Sequence, residues 1–254
     1  MKPSRIRSTF ALLLFVLLIS LGNSISRNRA IASAGIWVSP STSYIDSGYY
    51  NIVGEVENKG DSYLAYIKLI ATFYDENDTV VGMDYDFAKL DVLPPGRRAP
   101  FILSSNDVNQ SGKVRSYALN CTYQITSVIP QELEIVSNST YIDNIGQKRI
   151  IGEIKNLGTV DATDVKIVAT CFNTTGFVVA VDFAYASRVM GPNQTSPFDI
   201  SIDEQLTPLI NHYVLTAESY EYAMVPELPL GITSMLILII PITVVAYALR
   251  KHGG

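Results

Sequence analysis

The sequence predicts an all-β chain. Two tandem β-sandwich domains are set between an N-terminal signal segment and one C-terminal transmembrane helix. Three observations carry the prediction. First, a stretch occurs twice, at 52–75 (IVGEVENKGDSYLAYIKLIATFYD) and at 150–173 (IIGEIKNLGTVDATDVKIVATCFN), and Ile52, Gly54, Glu55, Asn58, Gly60, Lys68, Ala71 and Thr72 all return 98 places later. That spacing is the size of a whole small domain, far beyond a solenoid repeat. Second, apolar and polar residues alternate at period two within the stretch, and β-branched and aromatic types dominate, as in half-buried strands. Third, both ends of the chain carry apolar runs next to basic residues.

Residues 1–34 are expected to be the signal. Lys2, Arg5 and Arg7 precede an apolar run from Phe10 to Leu21, and Ala32 and Ala34 offer a small-residue cleavage site. A basic start with a short apolar run is the secretory pattern. The alternative is an uncleaved N-terminal anchor.

Residues 35–130 form the first expected domain. A strand over 36–45, interrupted by Ser39-Pro40, leads into the repeat. Ile52, Gly54 and Val56 are expected inward, with Val53, Glu55 and Glu57 on the charged outer face. Asn58-Lys59-Gly60 is expected to turn through positive φ, which Asn and Gly tolerate. Ile67, Leu69, Ala71 and Phe73 then point inward, and Lys68 and Thr72 outward. An acidic hairpin loop follows (Asp75-Glu76-Asn77-Asp78), then a strand over 79–85, a Pro-Gly turn at 93–96, a strand opened by Pro100-Phe101, and a last strand over 114–123.

Residues 131–225 repeat this order, with Asn156-Leu157-Gly158, Asn173 to Gly176, Gly191-Pro192-Asn193 and Pro197-Phe198 at the matching places. About seven short strands per copy at this spacing is an immunoglobulin-like sandwich pattern. The linker near Pro130 is short. Residues 226–254 close the chain. The 20 residues of 230–249 carry no charge, and Arg250 and Lys251 follow. That length spans a bilayer, and the basic pair places the tail inside and the domains outside.

With those elements in place, the order of strand, Asn-x-Gly, strand, hairpin, Pro-Gly turn and Pro-Phe resembles the FxLYD domain. This is a small extracytoplasmic β-sandwich module of bacterial and archaeal envelope proteins. Ala71-Thr72-Phe73-Tyr74-Asp75 keeps the Tyr-Asp of that motif, and Ala169-Thr170-Cys171-Phe172-Asn173 keeps the place without it. The resemblance implies a fold and transfers no catalytic residue. Val225-Pro226-Glu227-Leu228-Pro229, ahead of a span and a basic pair, is similar to archaeal PEF-type sorting signals, which implies recognition by an archaeosortase.

Charge limits the partners. Seven of the 19 basic residues lie in the two ends; the other 12 face all 24 acidic residues, which leaves −12 between the ends. So acidic a surface repels phosphate backbones and argues against nucleic acid. Catalytic and metal-ligating constellations are missing from the sequence. His212 and His252 fall on opposite sides of the expected span, and no Cys or His pair stands at ligand spacing. The loop at Asp75 is expected to be a solvated hairpin and not a calcium site, because the second copy replaces it with Asn and Thr. Cys121 and Cys171 fall in different copies on inward positions, so two buried free thiols are expected.

Six Asn-x-Ser/Thr sequons, at Asn77, Asn109, Asn120, Asn138, Asn173 and Asn193, are candidate glycosylation sites. Tyr49, Tyr50, Tyr63 and Tyr66 are the candidate contact surface, since aromatics anchor interfaces. A cleft near Pro130, between the copies, is a second candidate place. The expected protein is non-catalytic, needs no cofactor, and is held in the cell membrane. It presents two modules outside for contact with envelope proteins or glycans, or as a spacer. An accessory extracytoplasmic subunit of a transporter or oxidase is the alternative, and an enzyme is the third reading.

Overall fold

The computed structural model describes residues 29–31, 35–130, 132–220 and 222–223. The expected signal run and the span over 230–249 lie outside them. Among the described residues, no helix is long and apolar enough to cross a membrane.

The described chain is nearly all β. In order it forms β1 (Arg29–Ile31), β2 (Ile36–Val38), β3 (Thr42–Asp46), β4 (Tyr49–Asn58), β5 (Tyr63–Tyr74), β6 (Val80–Phe87), β7 (Val92–Leu93), β8 (Arg98–Ser104), one helical turn (Val108–Ser111) and β9 (Ser116–Thr126). Then come β10 (Ile129–Pro130), β11 (Leu133–Ile142), β12 (Lys148–Asn156), β13 (Ala162–Phe172), β14 (Val178–Met190), β15 (Thr195–Ile202), β16 (His212–Glu218) and β17 (Tyr222–Ala223). One sheet runs β1-β9-β5-β6, with β7 also on β5; its companion has β2, β3 and β8 around β4. The second pair of sheets runs β11-β12-β15 and β14-β13-β16. The second copy thus repeats the first strand for strand at its centre. The expected seven strands per copy become nine and six. The first copy adds β1 and β7, and it has a break at Pro40, which has no amide to give the ladder. That break divides the edge beside β4 into β2 and β3, where the second copy has the unbroken β11.

Each sheet pair encloses its own core. Ile52, Val56, Ile67, Leu69, Ala71, Phe73, Phe101, Leu103 and Leu119 fill the first. Ile150, Ile154, Val165, Ile167, Ala169, Cys171, Phe198 and Ile200 fill the second. These are the inward positions set by the period-two pattern.

The repeated polar residues have specific structural tasks. Gly54 lies opposite Phe101, and Gly152 opposite Phe198. A Cβ on Gly54 would come within 2.8 Å of the Phe101 ring, and one on Gly152 within 2.7 Å of the Phe198 ring. Each glycine therefore gives an aromatic ring its seat across the strand pair.

Asn58 and Asn156 are fully buried, and neither they nor Gly60 and Gly158 adopt positive φ. The expected turn chemistry is wrong here. The reason for the repetition is hydrogen bonding: Asn58 Nδ2 donates to Ser62 O (2.8 Å) and Leu93 O (2.9 Å), and Oδ1 accepts from Gly60 N (3.0 Å). Asn156 donates to Val160 O (2.8 Å) and Met190 O (2.9 Å) and accepts from Gly158 N (2.8 Å). One side chain thus satisfies three backbone groups, two in its own turn and one in a distant segment, where leaving them unpaired is costly.

The two sheet pairs are not independent. The outer face of β4, expected to be solvated, is covered: Val53 is 0% exposed and Glu55 7%. Its cover is the second copy. Val168, Phe172, Val178 and Val181, on the outward face of β13 and β14, join the hydrophobic cluster of the first sheet pair. Strand β14 lies against β3, β4 and β8, and the Thr42 hydroxyl donates to the Val178 carbonyl. The period-two pattern assigns Val53 and Glu55 correctly to the outer face. That face is an interface, not a water boundary.

Candidate contact surfaces at the junction and on β6

The connection between β6 and β7 reaches across to β13 and β16. There the Asp91 amide donates to Glu218 Oε2 (2.8 Å), and Lys166 Nζ lies 2.6 Å from Glu218 Oε1 and 4.0 Å from Asp91 Oδ1. Burial pushes the Glu218 carboxyl above its ordinary range, against the opposing pull of Lys166. Lys166 and Glu218 join neighbouring strands in register. With Asp164, Tyr185 and Tyr220 they line a small polar cleft of about 270 Å³. A lysine held by two carboxylates is a structural tie. Ser219 also lines the cleft, and among the described residues no cluster of three metal-ligating side chains occurs.

Two further grooves open from this junction. One, of about 510 Å³, is largely apolar and includes Tyr66, Phe87, Leu90, Val128 and Tyr220. The other includes Pro94, Arg97, Pro130 and Thr216. A cleft thus lies near Pro130, between the copies.

The four candidate tyrosines do not form one surface. Tyr66 lies at the start of β5, is 68% exposed, and lines the apolar groove. It adopts φ 50, as Asp164 adopts φ 46 at the matching place in β13. Tyr66 sits within a register shift of its strand, and Asp164 just before one. A bulky aromatic with positive φ is strained, and such strain persists where the surroundings impose it. Tyr63 is half-buried at the same end. Tyr49 and Tyr50 lie at the opposite end, about 20 Å along the strands. Tyr49 is exposed. The Tyr50 ring packs edge-on to Phe73 and Tyr117, and its hydroxyl pairs with Ser43.

The largest aromatic surface was missed in the sequence. On β6, Met83, Tyr85 and Phe87 point outward and are 64%, 58% and 42% exposed. The polar residues of the strand point the other way: Asp84 accepts from the Asn106 amide, and Asp86 pairs with Lys89. Tyr85 and Phe87 meet edge-to-face at 6.3 Å, and Lys68 Nζ stands 3.5 Å from the centre of the Tyr85 ring. The second copy repeats the pair as Phe183 and Tyr185, edge-to-face at 5.8 Å. The detectable signal was the inverted pattern Met-Asp-Tyr-Asp-Phe at 83–87 and its aromatic return at 183 and 185.

Five sequon asparagines are exposed and Asn173 is half-buried. Asn109 falls in the helical turn and Asn120 and Asn138 on strands; Asn77, Asn173 and Asn193 fall in turns. Asp75 Oδ1 accepts from the amides of Asn77 and Thr79, and Asn173 Oδ1 accepts from those of Thr175 and Phe177. The acidic loop is therefore a hairpin built the same way with or without a carboxylate. Cys121 and Cys171 are buried and unbridged, and burial pushes each thiol up to about 12. His212 stacks on Phe172 at 4.9 Å.

No family model and no curated protein matches the chain. Among solved structures it is similar to a transglutaminase of red sea bream, with 7% identity and a TM-score of 0.24 over 74% of this chain. The chain spans 30% of that protein's length. A likeness at this level carries no argument about fold or chemistry.

Proposed function

We propose that this chain is a non-catalytic surface protein. Residues 230–249 anchor it in the cell membrane, and two tandem immunoglobulin-like β-sandwich modules are presented outside as a contact scaffold for envelope proteins or glycans. One observation carries the reading: the apolar strip Met83, Tyr85 and Phe87 faces water on a strand whose charged residues face inward. A soluble surface seldom leaves such a strip bare without a partner for it. The polar groups suited to chemistry support the same reading, because Lys166, Glu218 and Asp75 are engaged in holding the chain together. The modules act as one stiff unit through the β14 contact.

The full chain, purified in detergent, tests the reading by binding to envelope preparations and to arrayed glycans. Tyr85→Ser with Phe87→Ser should weaken capture by tenfold or more, since aromatic anchors contribute about 2 kcal/mol each. The thermal midpoint should change little. Hydrolytic turnover that disappears in Glu218→Gln would overturn the proposal.

A further inference from the structure

The contact between the two sheet pairs is heterologous. The outer face of β14-β13-β16 meets the outer face of the sheet around β4. Duplication means that each copy carries both faces, so one of each is left over. The bare face on the first copy is that of β6-β5-β9, and the bare face on the second is that of β11-β12-β15.

The bare β6-β5-β9 face repeats the register of the second-copy face that meets the first copy; there Val168, Thr170, Phe172, Val178 and Val181 are covered, whereas Phe183 and Tyr185 stay 42% and 60% exposed. Cross-strand pairs Lys68–Phe87, Ile70–Tyr85, Thr72–Met83 and Tyr74–Val80 correspond to Lys166–Tyr185, Val168–Phe183, Thr170–Val181 and Phe172–Val178. Val168, Thr170 and Val178 are 0%, 1% and 2% exposed. Their counterparts Ile70 and Thr72 are half-buried, and Val80 is exposed. The complementary face is also kept. Thr42 and Tyr44 oppose Val53 and Asn51 as Ser139 and Tyr141 oppose Ile151 and Arg149. Glu55 and Pro100 return as Glu153 and Pro197. The hydroxyl that bonds Val178 in the internal contact thus has a counterpart in Ser139, and Val178 has one in Val80. Four positions change character, Glu57 and Arg98 becoming Lys155 and Thr195. Asn51 and Ile102 become Arg149 and Asp199, which pair with each other (2.9 Å) and so present no unpaired charge.

We infer that a second copy of this chain covers the β6-β5-β9 face with its own β11-β12-β15 face, so that molecules stack head to tail by repeating the internal contact. A heterologous contact that does not close generates open rows. The inference rests on the β6 face being a contact surface, and names its partner.

The test uses the full chain in detergent, by analytical ultracentrifugation across a hundredfold range of concentration. Wild type should grow through dimer and larger species. Val80→Glu, which spoils the β6 face at the counterpart of buried Val178, and Ile151→Glu, which spoils the β12 face, should each be monomeric at concentrations where wild type is not. Both sites are on the surface, so unchanged circular dichroism will show that the variants fold. Mixed, the two variants should form dimers and stop, because each supplies one intact face. Dimers that persist in Ile151→Glu and vanish in Val80→Glu would mean an isologous pair and overturn the inference. A monomeric wild type would overturn it too. In that case, loss of envelope binding by the serine variants would still uphold the contact surface. Asn120 lies in the same row as Ile70 and Tyr85, so a glycan found on Asn120 in the native protein would also overturn the stack.

Discussion

Asn58 and Asn156 show how one side chain can specify a fold. Each bridges its own turn to a backbone carbonyl of a distant segment, fully buried. Replacing either by Ala removes three hydrogen bonds to backbone groups, among them the buried ones to Leu93 O and Met190 O. An unmet buried group costs about 1–3 kcal/mol. Asn58→Ala and Asn156→Ala should therefore each lower stability by about 2–4 kcal/mol, read as a shift of the denaturant midpoint. A loss below about 1 kcal/mol would mean that water replaces the amide. The repetition of these residues was plain in the sequence, but its cause was not. Asn serves both turns and buried networks, and only the positions of Leu93 and Met190 decide between them. Those positions depend on contacts 34 or 35 residues away.

At the scale of the strand, period-two alternation identifies which residues share a face, and it did so for β4, β5, β12 and β13. It does not identify what lies against that face. Val53 and Glu55 were placed on the outer side correctly, but their burial depends on a partner sheet that local pattern does not encode. The tyrosine candidates divide for a related reason: Tyr49 and Tyr66 are exposed and Tyr50 is not. Tyr50 has the residue type of a contact anchor and the position of a core residue, whereas the exposed strip on β6 was hidden by its alternation with acids. The glycine–phenylalanine seats yield a sharper expectation. A Cβ on Gly152 would approach the Ser137 carbonyl to 2.2 Å as well as the Phe198 ring, whereas on Gly54 the closest atoms beside the ring belong to the Ser41 side chain (3.1 Å). Backbone yields less readily than side chain, and overpacking costs about 1–3 kcal/mol. Gly152→Ala should therefore destabilise more than Gly54→Ala, measured side by side by thermal unfolding. Equal losses would show that the ring alone sets the cost.

At the scale of the whole molecule, the junction should respond to pH. Burial raises the carboxyls of Glu218, Asp182 and Glu55 above their ordinary ranges, and all three lie where the copies meet. A raised carboxyl contributes stability that is fully present below its unfolded pKa, about 4.3 for glutamate. That contribution is lost as pH rises through the folded value. The thermal midpoint of wild type relative to Glu218→Gln should thus be highest near pH 4.5 and fall toward pH 8. A difference that grows with pH would contradict the assigned direction. The usual acid weakening of carboxylate ties is reversed at this joint.

The β10–β17 pairing has a mechanical consequence. Ile129 and Pro130 enter the second copy beside Tyr222 and Ala223, which leave it. The second sheet pair is therefore a loop hung between the two halves of a clasp. Tension applied at residue 223 meets that clasp, and through it the end of the first copy, before it reaches β16. While the clasp holds, pull from the C-terminal side bypasses the second core, and the first copy bears the load.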